Sequence, residues 1–195
     1  FANRYTVFVD ACPLVDTMRR NLPRTLAEAE FFRLRWSEEV LDETQNAIAA
    51  IRTAKSQADA MEKATKARHK MQEAFEEAMV ADFDDFRPVC AGLPDQKDVH
   101  VLAAALKAQA STIVTENLRD FPSKVLGPLN IEARSGDAFI ADTIALDLGR
   151  AGAAIRVMRE RMRNPALTAD TLLMTMDARG LTATVDVLKP LLRLI

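Results

Sequence analysis

In Tyr5-Thr6-Val7-Phe8-Val9-Asp10, every residue before the aspartate is apolar, aromatic or β-branched. A run without polar alternation fits a strand buried on both faces, and such strands belong to parallel sheets covered by helices. The carboxylate that ends the run stands beside buried apolar side chains and needs a partner or a cation. Parallel sheets hold ligands beyond the carboxyl ends of their strands. Asp10 is therefore a candidate site residue from the first strand onward.

Downstream, helical and extended patterns alternate. After Cys12-Pro13, Leu14, Met18, Leu22 and Leu26 recur at helical spacing, with Asp16 near the start and Pro23 as an interruption. Residues 31–36 predict a second short strand. Ser37 is a suitable N-cap, and Glu38 and Glu39 behind it suit the positive end of the helix dipole. Val40, Leu41, Thr44, Ile48 and Ile51 carry that helix on. Residues 56–80 read as one further helix, with Ala60, Met61, Ala64, Met71, Phe75 and Met79 on its apolar stripe. Residues 82–86 and 92–94 mark a loop, 98–110 an Ala-rich helix, 111–115 a short buried strand and 130–134 the last strand. This order predicts an α/β fold, a three-layer sandwich with a mostly parallel central sheet.

From Gly136 onward only helices are expected. One is capped by Asp137 and runs to about Arg163, where Asn164-Pro165 breaks it. A second covers 168–179 and is stopped by Gly180. A third covers 184–194, with Pro190 as a kink or break. The chain divides accordingly into a domain over 1–136 and a C-terminal helical extension over 137–195. The extension's apolar residues, Leu172, Leu173, Met174, Met176, Leu188, Leu191, Leu192 and Ile195, must pack on the core or on a partner.

A chain of 195 residues suits one domain with a small appendage. Hydrophobic residues at 49% and charged residues at 28% exclude a disordered chain. The net charge of −2 excludes a global basic field, so any nucleic-acid contact must be local or helped by a cation. Cys12 and Cys90 offer neither a disulfide framework nor zinc spacing and are expected as reduced thiols, Cys12 buried beside the strand end. No apolar stretch approaches the ~20 residues that span a bilayer. Phe1-Ala-Asn-Arg4 lacks the parts of a signal peptide. The chain starts without Met, so a residue or two is expected to be missing, and a cytoplasmic protein is the expectation.

Four acids stand at or near element ends. Asp10 ends the first strand, Glu43 closes Trp36-Ser-Glu-Glu-Val-Leu-Asp-Glu43, Asp98 leads the Ala-rich helix, and Asp120 lies in Thr115-Glu-Asn-Leu-Arg-Asp120. Hard oxygen donors of this kind hold Mg²⁺ or Mn²⁺ and leave water positions open. Such a water attacks a phosphodiester while the metal offsets charge on the phosphate. Each acid taken singly also reads as an N-cap or a first-turn residue, Asp98 most of all. Glu39, one turn before Glu43, points to a similar face.

The motifs Val9-Asp-Ala-Cys12, Arg35-Trp-Ser-Glu-Glu-Val-Leu-Asp-Glu43, Leu93-Pro-Asp-Gln-Lys-Asp-Val-His-Val-Leu-Ala-Ala-Ala105 and Ile113-Val-Thr-Glu-Asn-Leu-Arg-Asp-Phe-Pro122 occur in the order found in PIN domains. Over residues 5–136 the chain resembles that family, particularly VapC-like toxin ribonucleases. The resemblance implies a parallel sheet flanked by helices, an acidic pocket for Mg²⁺ or Mn²⁺, and cleavage of RNA, often as the toxin of a toxin–antitoxin pair. Matched by position, Asp10, Glu43, Asp98 and Asp120 are the implied catalytic and metal-binding acids, with Glu39 a competitor for the place of Glu43. Thr115 and Asn117 are the implied hydrogen-bonding supports, and Asp95 reads as a loop acid. Cys12 stands where the family often has Asn or Ser. The implied partners are RNA, a cognate antitoxin and a second copy in a homodimer, with the helical extension covering the core or receiving an antitoxin segment.

His100, two residues beyond Asp98 on the same helix, is expected to point away from it and to be structural. His69 lies among Lys66, Arg68 and Lys70 on an expected solvated face. Two basic stretches, Lys63–Lys70 and Arg150–Arg163, lack the interleaved aromatics of a base-stacking surface and read first as helix faces balanced by acids. There is no P-loop, dinucleotide fingerprint or serine or cysteine nucleophile placed with a histidine. Competing readings are a catalytically silent module of the same fold that binds RNA or protein, and a metal-dependent nuclease acting on DNA.

Overall fold

The computed structural model describes residues 5–163 and 165–195. The readings placed on residues 1–4 and on Asn164 lie outside the described residues. The elements are β1 (Thr6–Val9), α1 (Ala11–Val15), α2 (Thr17–Glu28), β2 (Arg33–Ser37), α3 (Glu38–Ala54), α4 (Ala60–Ala74), β3 (Met79–Val80), α5 (Val99–Lys107), β4 (Thr112–Val114), α6 (Ser123–Leu126), β5 (Glu132–Arg134), α7 (Gly136–Leu146), α8 (Leu148–Arg161), α9 (Ala169–Asp177) and α10 (Thr182–Leu188). Among the described residues the strands form one five-stranded sheet in the order β3-β2-β1-β4-β5. Every pairing is parallel, with Phe8 opposite Arg35 on one side and Ile113 on the other.

The chain steps one way across the sheet from β1 to β3 and then jumps back past β1 to β4. Right-handed crossovers place helices reached by opposite steps on opposite faces, so α2 and α5 cover the two sides. This explains why Val7, Phe8 and Val9 are fully buried. It also fixes the switch point between β1 and β4, where the strand ends carry Asp10 and Thr115.

Local chemistry sets the helix starts. The Ser37 hydroxyl accepts from Val40 N at 3.3 Å and begins α3, as its sequence position predicts. Asp16 accepts from Met18 N and Arg19 N and begins α2. The interruption expected at Pro23 falls instead at Asp16. Pro23 lies inside α2, buried, and the helix continues across it.

Three other expectations are corrected. The helix read over 56–80 is α4 followed by a strand: Phe75 leaves helical geometry at φ −144°, ψ 72°, and Met79 and Val80 pair with Trp36 and Ser37. Phe75 turns inward against Trp36, ring centroids 6.1 Å apart and nearly perpendicular, a packing that no periodicity encodes. The helix read from Asp137 to Arg163 is two helices, because Asp147 turns to φ −155° and its carboxylate caps α8 by accepting from Arg150 N. Asp137 is not the cap of α7. Ser135 accepts from Ala138 N, and the Asp137 carboxylate accepts from Ala183 N and Thr184 N at 2.8 and 2.9 Å. One side chain thereby ties the start of α10 to the end of the sheet.

The C-terminal helices share the core of the sheet. Ile155, Leu172, Met176, Leu188 and Ile195 belong to the same buried cluster as Phe8 and Trp36, while Met174 stays exposed. Gly180, at φ 76°, ends α9 in the left-handed conformation that glycine adopts at low cost. The last helix stops at Leu188, and Pro190 sits in the 3-10 turn that follows. Among the described residues no helix is long and apolar enough to cross a membrane.

Candidate active site

The site grows from the two central strand ends. Asp10 is 5% exposed. Its Oδ1 accepts from Ala11 N at 2.7 Å, capping α1, and its Oδ2 accepts from the Thr115 hydroxyl at 2.7 Å. Its backbone N–H continues the β1–β4 ladder to the Val114 carbonyl. Thr115, fully buried, also accepts from Asn117 N at 3.0 Å. The Asn117 side chain in turn donates to Asp120. A single chain of hydrogen bonds therefore runs Asp10–Thr115–Asn117–Asp120 across the switch point.

Asp98 faces the same place from the start of α5. Burial pushes its carboxyl up to about 6, and the negative charges of Asp10, Asp120 and Asp95 add to the rise. Its Oδ2 is buried and, among the described residues, has no hydrogen-bond partner. Asp98 makes no side-chain capping bond to α5, so the simple N-cap reading does not account for it. Asp95 fills a capping role instead, accepting from Lys97 N.

Glu43 and Glu39 are drawn to His100, which the sequence reading set aside as a structural residue. The imidazole is buried, with Nε2 3.1 Å from Glu43 Oε1 and Nδ1 3.5 Å from Glu39 Oε2. Burial alone pulls the His100 pKa down, but the Glu43 hydrogen bond and the charges of Glu43, Glu39 and Asp10 outweigh it and hold it above the usual value. Glu39 has a second claim on it, since Arg87 Nη2 donates to it at 2.6 Å. Among the described residues Glu43 has no such arginine. The competition between the two glutamates is therefore unequal: among the described residues Glu39 is tied down twice and Glu43 by His100 alone.

Cys12 is exposed as a residue, not buried as expected. Its thiol turns toward Asp10 Oδ2 at 3.6 Å, and desolvation with the Asp10 charge pushes its pKa up to about 12, so it stays a neutral thiol. Among the described residues, no group of three or more His, Cys, Asp and Glu side chains is closed to metal-holding geometry. What the site does present is an unpartnered buried carboxylate oxygen among like charges, a donor set of hard oxygens suited to a hard divalent cation. The carboxylates of Asp10, Asp98 and Asp120 are donors of the type such an ion takes, while Glu43 is held by His100.

A family model described as PIN domain matches residues 6–119. This chain belongs to the PIN-domain family. The PIN domain accounts for β1 through β4 and for all the acids above except Asp120, which falls just past the match. A second model, described as VapC50 C-terminal domain, matches residues 136–190, the helical part. A Mycobacterium tuberculosis protein named "Putative ribonuclease VapC50" is 40% identical over 84 residues, covering 43% of this PIN-domain chain and 48% of the relative. The match thus spans about half the length of that relative. No solved structure matches.

The buried Thr115 hydroxyl gives a first expected result. Thr115→Val keeps the shape but removes the donor to Asp10 and the acceptor for Asn117 N. Loss of an outer-shell partner costs about 10- to 100-fold in metal affinity or activity. Mn²⁺ titration by calorimetry is expected to show that loss; unchanged affinity would remove Thr115 from the site.

Proposed function

We propose that the protein is a metal-dependent endoribonuclease that cleaves RNA phosphodiesters with an activated water, and that it acts as the toxin of a toxin–antitoxin pair. The observation that carries the reading is Asp98 Oδ2, buried without a partner beside Asp10 and Asp120. A stability-optimised fold would not gather these charges without a use for them. The name of the similar mycobacterial protein supports RNA as the substrate. When bound, Mg²⁺ or Mn²⁺ supplies Lewis-acid stabilisation of phosphate charge and a water of lowered pKa.

The chain's own residues do the rest. Asp10, fixed by Ala11 N and Thr115, presents its remaining lone pairs at the sheet edge. Asp98 and Asp120 approach from α5 and from the turn after β4, the latter steered by Asn117. Glu43 is the fourth acid in this proposal. His100 holds its carboxylate in place. The partners proposed are RNA, a cognate antitoxin and a second copy of the chain in a homodimer, in the cytoplasm.

The test is cleavage of single-stranded RNA and of DNA of matched sequence, in Mg²⁺, Mn²⁺ or EDTA. RNA cutting that requires the cation is expected; cutting of DNA alone, or none of either, would sink the reading. The glutamates are separated by the same assay. Glu43→Gln is expected to lose on the order of 100-fold or more, beyond the outer-shell range, whereas Glu39→Gln loses less because Arg87 and His100 bear on it structurally. Equal losses would reverse the assignment.

A further inference from the structure

Beside the site, α2 and the α3–α4 hairpin enclose a cleft of about 1050 Å³ whose walls carry Arg20, Arg52, Lys55, Lys63, Lys66 and Lys70. Arg179, from the helical extension, stands at its rim. Among the described residues lining it, the one carboxylate is Asp16, and that group is already engaged with Met18 N, Arg19 N and Arg179. A chain of net charge −2 has thus concentrated positive charge on one concave surface.

The basic residues here differ from those elsewhere. Along α8, Arg156 and Arg161 are paired with Glu160 and Glu28, and Arg150 stacks over Phe31 at 4.1 Å. On α4, Arg68 is taken up by Asp42 and Glu38. For these residues the expectation of faces balanced by acids holds. In the cleft, Lys63 and Arg52 share Asp59. Lys55, Lys66 and Lys70 are exposed and, among the described residues, form no ion pair. Three uncompensated ammonium groups on one wall cost the fold repulsion that a polyanion would relieve.

Position gives the cleft its direction. Val15, the last residue of α1, lines it and packs on Ile48, Ala49 and Ala64. Asp10 caps the other end of α1. Five steps of about 1.5 Å along the helix lead from one to the other, about 8 Å. No aromatic side chain lines the cleft among the described residues, so it offers phosphate contacts and not base stacking.

We infer that this cleft is a phosphate-tracking groove that leads the backbone of a single-stranded RNA to Asp10, without regard to base sequence. The inference rests on the nuclease reading above and names how a polyanion is held beside a cluster of carboxylates. The groove's cations hold the strand, and the carboxylates meet it only at the point of cleavage.

The experiment uses the full chain and the triple variant Lys55→Gln/Lys66→Gln/Lys70→Gln, with folding checked by circular dichroism and thermal melting. Binding of a fluorescein-labelled 12-nucleotide RNA is followed by anisotropy in EDTA, across a salt series. Each phosphate contact contributes about 0.7 to the slope of log K against log salt for single strands, so losing three is expected to flatten it by about 2 and to weaken binding at least about tenfold in low salt. RNAs of different sequence are expected to lose equally. An unchanged slope in a folded variant overturns the groove, as does tighter binding of a poly-glutamate peptide than of RNA, which assigns the cleft to an acidic protein segment. Wild type that binds with this lysine dependence yet never cuts RNA supports the groove and counts against the nuclease reading alone.

Discussion

Asp10→Asn is expected to lower RNA cleavage in Mn²⁺ by far more than a hundredfold while the protein still folds. The geometry sets both halves of the expectation. One oxygen of Asp10 accepts from Ala11 N, and an asparagine carbonyl replaces it without change. The other accepts from the Thr115 hydroxyl, which is fully buried and already receives Asn117 N. An amide there is a donor meeting a donor, and the Thr115 proton must find another acceptor. A mispaired buried group costs about 1–3 kcal/mol, enough to lower the melting temperature but not to unfold a domain of ordinary stability. The chemical loss is larger because the substitution removes charge from the residue that joins α1, β1 and β4. Losing an outer partner of a metal ligand costs about 10- to 100-fold, and losing the ligand's charge is expected to exceed that. The measurement is a single-turnover cleavage rate for wild type and variant. Retention of a tenth or more of the activity by a folded variant would remove Asp10 from the site.

Which parts of this arrangement were legible in the sequence follows from how local each one is. β1 and β4 could be read because each is a continuous buried run, while their adjacency is a matter of strand order that the structure supplies. Their ends carry Asp10 and Thr115, so the chain of hydrogen bonds out to Asn117 and Asp120 spans a short loop and needs no distant packing. β3 could not be read: Met79 and Val80 extend the apolar spacing of α4, and only pairing with Trp36 and Ser37 makes them a strand. The break at Asp147 carries no proline, and its main signal is one carboxylate turning back to cap the next helix. The partners of His100 were illegible for a related reason. Spacing along α5 shows that it points away from Asp98, but not that α3 lies on that side with Glu39 and Glu43 facing it. The basic cleft likewise draws on α2, α3 and α4, whose charges look balanced when each helix is read alone.

Asp98→Asn is expected to act in two directions at once, abolishing cleavage and stabilising the metal-free protein at neutral pH. The carboxyl of Asp98 rises from its ordinary 3.8 to about 6 on folding, through burial first and then the charges of Asp10, Asp120 and Asp95. Between those values the folded state holds the proton more tightly than the unfolded state, so stability falls as pH rises through the window and stays lowered above it. At pH 7.5 the full penalty is present. A shift of about two units corresponds to about 3 kcal/mol. Asp98 is partly solvated, and screening reduces the figure to about 1 kcal/mol. For a chain of this size that is a rise in Tm of about 2–4 °C for Asp98→Asn in EDTA at pH 7.5, shrinking toward zero as pH falls from 6 to 4. Divalent cations reverse the order. Mn²⁺ binding to the folded state raises the Tm of wild type with concentration, while the variant, lacking the unpartnered oxygen, gains little. A carboxylate raised by burial but holding no cation would show the pH window without the crossover. If the variant is the less stable protein at pH 7.5 in EDTA, Asp98 is a supporting residue of the fold and the case for a charged metal pocket fails with it.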